Sequence, residues 1–70
     1  MEEKLQISLA AARVNAKMTQ EDVAKLLRVS KNTVVNWEKG ESEPKIFQAR
    51  VLSKAFKMPL ENISFDNEIQ

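Results

Sequence analysis

The stretch Thr19-Gln20-Glu21-Asp22-Val23-Ala24-Lys25-Leu26-Leu27-Arg28-Val29-Ser30-Lys31-Asn32-Thr33-Val34-Val35-Asn36-Trp37-Glu38-Lys39-Gly40 decides how this chain folds. It carries one start signal twice. Thr19 can accept from backbone N–H groups of the turn that follows, and Asp22 sits at the third helical position. Met18 and Val23 occupy the two positions of a hydrophobic staple. The pattern predicts a short helix over 20–27 that buries Val23, Ala24 and Leu27. Ser30 then repeats the cap, and Val29 with Val34 repeats the staple. A helix over 31–39 follows and stops at Gly40, the natural left-handed terminator.

Outward from this pair, Leu5, Leu9, Ala12 and Ala16 recur at helical spacing and predict a first helix over 5–16. The polar loop Gly40-Glu41-Ser42-Glu43 leads to Pro44. A fourth helix is expected over 45–57, with Ile46, Ala49, Leu52, Ser53 and Phe56 inward. Pro59 can occupy the first turn of a fifth helix over 60–64. No alternation of period two persists. The expectation is an all-α, five-helix domain over 1–65, with a polar C-terminal tail at 66–70. Two short capped helices about three residues apart describe a helix-turn-helix. Ala24 lies where the helices cross, and Val23, Leu27, Val29, Val34 and Trp37 lock them together. The plainer reading is a small helical bundle with two adjacent capped helices.

Composition removes whole classes of function. The 70 residues include no Cys and no His, which excludes disulfides, thiolate or imidazole zinc sites and Ser–His or Cys–His catalysis. The single glycine, Gly40, cannot build a phosphate-cradling loop. No nucleophile–base–orienter set can be assembled, so no enzyme is expected and no cofactor is implied. The longest charge-free stretch, Leu5 to Ala12, is too short for a bilayer, and the acidic start Met1-Glu2-Glu3-Lys4 does not open a signal peptide. A cytoplasmic protein without membrane or metal is the expectation.

The quoted stretch resembles the phage-repressor and Cro type (XRE-like) of helix-turn-helix domain. The resemblance extends back to Leu9-Ala10-Ala11-Ala12-Arg13 and forward through Pro44 to Leu60 and Ile63. Thr19-Gln20, Ala24, Ser30, Trp37-Glu38 and Gly40 together are far more specific than a bare helix-turn-helix. The resemblance implies a lambda-repressor-like fold and a dimeric regulator that binds double-stranded operator DNA.

Residue chemistry on the third helix can be read beside it. Val34, Trp37, Thr33 and Glu38 lie towards one side of the helix. Lys31, Asn32, Val35 and Asn36 lie towards the other. Asn can bond adenine bidentately, Lys can donate to guanine, and Val can meet a thymine methyl. The alternative is a solvated face, although an exposed Val35 gains little from water. Ser30, Thr33 and the N–H groups that open this helix could meet a phosphate. Lys25, Arg28 and Lys39 are further backbone candidates, the alternative for each being ordinary solubilising charge. The resemblance assigns Gln20 to a position that contacts the DNA backbone. It also implies that Arg13 and Glu38 pair as a salt bridge joining the first helix to the end of the reading helix.

Two departures from the family pattern stand out. Lys17, Arg28 and Lys57 replace the glycines usual after the first, second and fourth helices, at about 1 kcal/mol each if left-handed. Glu41 and Glu43 stand in a loop where relatives often place basic residues, which weakens any contact between that loop and phosphate. Phe47 and Val51 beside the inward stripe of the fourth helix, with Phe65 after the last one, are either dimer contacts or the edge of a small core. A homodimer on a pseudo-palindromic operator is the expectation, with half-sites about one DNA turn (roughly 34 Å) apart. The competing function is a protein-binding module of the same fold, such as an antitoxin or a cofactor-recruiting domain.

The net charge of +1 hides an asymmetry. Residues 13–57 carry ten basic side chains against five acidic ones. The two ends carry Lys4 against Glu2, Glu3, Glu61, Asp66 and Glu68. A basic centre between acidic ends suits a domain that meets phosphate on one face without binding DNA indiscriminately.

Overall fold

Side-chain to backbone hydrogen bonds mark where each described α-helix begins. The computed structural model describes residues 5–65. Ser8 turns the chain into α1 (Leu9–Asn15), its hydroxyl accepting from the Ala11 N–H at 3.0 Å. Thr19 opens α2 (Gln20–Leu27) with a full capping box. The Asp22 N–H donates to the Thr19 hydroxyl at 2.9 Å, and the Thr19 N–H donates back to the Asp22 carboxylate at 2.8 Å. Ser30 opens α3 (Lys31–Lys39) by accepting from the Thr33 N–H. At the head of α4 (Ile46–Phe56), the Lys45 N–H donates to the Gln48 side chain at 2.8 Å.

The helix ends share one device. Lys17, Arg28, Gly40 and Lys57 are all left-handed, with φ between 55° and 81°. After each, the next N–H reaches back to a carbonyl of the helix: Met18 to Arg13, Val29 to Ala24, Glu41 to Asn36 and Met58 to Ser53. This is the double-bonded helix terminator that glycine ordinarily favours. Three of the four positions lack glycine, at roughly 1 kcal/mol each. Met18, Val29 and Met58, the apolar residues that follow, pack against the core. Their partial burial, worth a share of the roughly 1.5–3 kcal/mol of a fully buried side chain, works against that cost.

The core takes Leu9 and Ala12 from α1, Val23 and Ala24 from α2, Val34 and Trp37 from α3, and Leu52 and Phe56 from α4. The most extensive helix–helix contact joins α2 to α3. No helix among the described residues is long and apolar enough to cross a membrane.

The fold departs from the sequence expectations in three places. The first helix starts at Leu9 rather than Leu5, and Leu5 is exposed. Its spacing suits a helix, but Ser8 provides a cap and the residues before it serve elsewhere. Ile7–Ser8 form a two-residue strand, β1, that pairs in parallel with β2 (Ile63–Ser64). The expected fifth helix is therefore a single 3₁₀ turn (Leu60–Asn62) followed by that strand. Buried Ile63 is extended, and its register opposite Ile7 ties the two ends of the fold together. Among the described residues the domain is thus predominantly helical with four α-helices, not five. Ile46, expected inward, is 65% exposed because it is the first residue of α4, one turn ahead of the buried Ala49. The polar tail at 66–70 lies outside the described residues.

Candidate nucleic-acid interface

α3 has one face committed to the core and one left over. Val34 and Trp37 are buried at 0% and 5% exposure and lock the helix against the rest of the fold. Lys31, Asn32 and Lys39 are exposed, and Asn36 and Val35 are half-buried. The four side chains expected to read bases therefore lie off the buried stripe. Val35 is less exposed than the helical wheel implied, so part of its side chain already packs within the fold.

The frame that holds α3 is an ion pair. Arg13 Nε on α1 donates to Glu38 Oε2 at 2.7 Å, and both side chains are largely buried. Arg13 Nη2 approaches Glu38 Oε1 at 3.4 Å, while Nη1 donates to the Met18 carbonyl at 2.9 Å. The guanidinium thereby ties the last turn of α3 to the end of α1. Sequence reasoning anticipated the pair from the resemblance, but not the Met18 carbonyl, which no side-chain pattern announces.

Gln20, expected at the DNA backbone, is engaged within the protein. Its Nε2 donates to Glu38 Oε1 at 3.0 Å. A shallow groove of about 360 Å³ opens beside it, lined by Arg13, Met18, Thr19, Gln20, Glu21 and Lys31. The groove lies where α1 ends and where α2 and α3 begin. Ser30 and Thr33 are likewise coupled, their hydroxyls 2.9 Å apart. Whichever of the two donates, one hydroxyl proton remains to meet an anion beyond the helix start. The Ser-x-x-Thr spacing carried that signal in the sequence. Lys25 and Arg28 are exposed, and Arg28 occupies the left-handed turn between α2 and α3.

The carboxyl of Asp22 is held below its ordinary value of 3.8. The main cause is the hydrogen bond from the Thr19 backbone, followed by the Thr19 side chain and then the charge of Lys25. The acid is therefore ionised in the cap of α2, where its charge also favours the helix dipole.

Phe47 is 62% exposed and Val51 36% exposed, on the outer side of α4. Phe65 is instead half-buried and packs against the core. Glu41 and Glu43 are both exposed in the loop after α3.

A capped α2, a three-residue turn through Arg28, Val29 and Ser30, and an α3 with its outer face uncommitted to the core define a helix-turn-helix domain. The chain belongs to the helix-turn-helix family, whose model matches residues 9–63. It is 36% identical over 56 residues to a Vibrio cholerae protein named as the cryptic phage CTXphi transcriptional repressor RstR, covering 80% of this chain and 50% of that one. It is 41% identical over 46 residues to an uncharacterized HTH-type transcriptional regulator of Methanocaldococcus jannaschii, covering 66% of this chain and 70% of the archaeal protein. The chain spans about half the length of the phage repressor. No solved structure matches it.

Proposed function

We propose that this protein is a sequence-specific, double-stranded DNA-binding transcriptional regulator that reads the major groove with α3. The observation that carries the reading is the division of α3 between a buried stripe and an outer set of Lys31, Asn32, Val35 and Asn36. Each member of that set has a base-edge partner in the major groove. The Arg13–Glu38 pair holds the helix in register, so base contacts are made from a rigid support. Gln20, Ser30 and Thr33, with Lys25, Arg28 and Lys39 further out, are the backbone contacts that set how α3 enters the groove. Repression is the favoured direction of regulation, because the phage relative is named a transcriptional repressor.

The regulator acts on DNA as a homodimer across a pseudo-palindromic operator in the bacterial cytoplasm. A single α3 covers too few base pairs for strong specificity. Phe47 and Val51 on the outer side of α4 offer an apolar seam for the second copy. Phe65 contributes to the core rather than to that seam.

Substitution separates this reading from a protein-binding module of the same fold. Asn32→Ala and Asn36→Ala each cost about 1–3 kcal/mol on the preferred site and relax base choice, while the domain stays folded. Binding titrations on preferred and mismatched duplexes, with circular dichroism as the folding control, measure both effects. Unchanged DNA recognition in both variants, with loss of a protein partner on Phe47→Glu, supports the module instead.

A further inference from the structure

We propose that Glu38 is a positioning residue for DNA binding: held by Arg13, its carboxylate turns the Gln20 amide so that a second N–H is presented to a backbone phosphate. The proposal rests on the DNA-reading function above and concerns how one phosphate contact is built.

A glutamine amide can offer either oxygen or nitrogen to its surroundings, and the two ends are nearly the same shape. Only the nitrogen suits a phosphate oxygen. An ionised carboxylate accepts and cannot donate, so the end of Gln20 that meets Glu38 Oε1 at 3.0 Å is Nε2. That nitrogen carries two protons, of which Glu38 takes one. The other has no partner among the described residues. Glu38 is itself fixed, because Arg13 donates to its Oε2 and anchors the guanidinium on the Met18 carbonyl. The arrangement of Arg13 and Glu38 therefore reaches the first residue of α2.

Orientation matters more here than bulk charge. The charge of Arg13 is matched by Glu38, and the other charged residues that line the groove are Lys31 and Glu21, of opposite sign. A phosphate in that groove meets little net field, so aimed N–H groups decide whether it is held. In Glu38→Gln the Arg13 guanidinium claims the remaining carbonyl oxygen. An NH₂ group then faces Gln20 and turns its amide round, which brings the oxygen to residue 38 and takes Nε2, with its second N–H, out of that place.

A double-mutant cycle tests this. Wild type, Gln20→Ala, Glu38→Gln and the double variant are titrated on the preferred duplex and on an unrelated one, below the melting temperature of each. Gln20→Ala in the wild-type background is expected to weaken binding about fivefold to tenfold on both duplexes, as a phosphate contact should. The salt dependence stays unchanged, since no charge is removed. In the Glu38→Gln background the same change is expected to cost less than twofold. Equal losses in both backgrounds overturn the positioning role, and no loss in either overturns the phosphate contact. Wild type that binds neither duplex contradicts the DNA reading itself, a separate outcome. Should Glu38→Gln fail to fold, proton exchange in the DNA-free wild type decides. One Gln20 side-chain proton should exchange with water more slowly than those of Gln48, and equally fast exchange refutes the proposal.

Discussion

Arg13 shows how much one side chain can hold. It bonds Glu38 through Nε and the Met18 carbonyl through Nη1, so it fastens the end of α1 to both a neighbouring helix and its own terminator. Arg13→Met removes the charge while keeping much of the apolar stem, and it leaves Glu38 largely buried beside Gln20 without its cation. Removing one partner of such a pair costs more than the pair contributes, on the order of 2–3 kcal/mol given partial solvent access. Urea unfolding of Arg13→Met should show that loss, and DNA affinity should fall with it. Lower affinity at unchanged stability would contradict a structural role for the pair.

At the scale of the element, caps and terminators do the work. Asp22 has a carboxyl below the ordinary value of 3.8 in the folded chain. Such a group adds stability above its unfolded value, and the gain is lost as pH falls through the folded one. Wild type should therefore lose an increment of unfolding free energy below about pH 4 that Asp22→Asn lacks, as urea titrations between pH 6 and pH 2 would reveal. The left-handed terminators make a second prediction. Lys17→Gly and Lys57→Gly should each stabilise the domain by roughly 1 kcal/mol and add nearly independently, whereas Gly40→Ala should destabilise it by a similar amount. Thermal melts of the three variants check the signs.

Elements that carry a local chemical mark were legible in the sequence. Thr19, Asp22, Ser30 and Gly40 place the starts of α2 and α3 and the end of α3 through groups only a few residues apart, and the observed spans agree. The strands Ile7–Ser8 and Ile63–Ser64 have no such mark. Two residues are too few for an alternation to register, and each strand exists only because its partner from the far end of the chain lies beside it. The start of α1 was hidden in the opposite way, since Leu5 extended the apolar spacing past the Ser8 cap. The Gln20–Glu38 bond was illegible because it depends on how α2 and α3 are packed, not on their order.

For the whole molecule, charge and shape bear on the same function. Basic residues dominate 13–57 and acidic ones the ends, yet Glu21, Glu41 and Glu43 keep the central field modest. Bulk attraction to phosphate is then limited, and discrimination has to come from the outer face of α3. The most direct test is selection of bound sites from random duplex DNA at a fixed, stated ionic strength. The account predicts recovery of a short motif whose two halves are related by near-symmetry and spaced about one DNA turn (roughly 34 Å) apart. Substituting Asn32 or Asn36 should change the recovered bases. Recovery of no motif, with binding equal on all sequences or absent, would contradict the account.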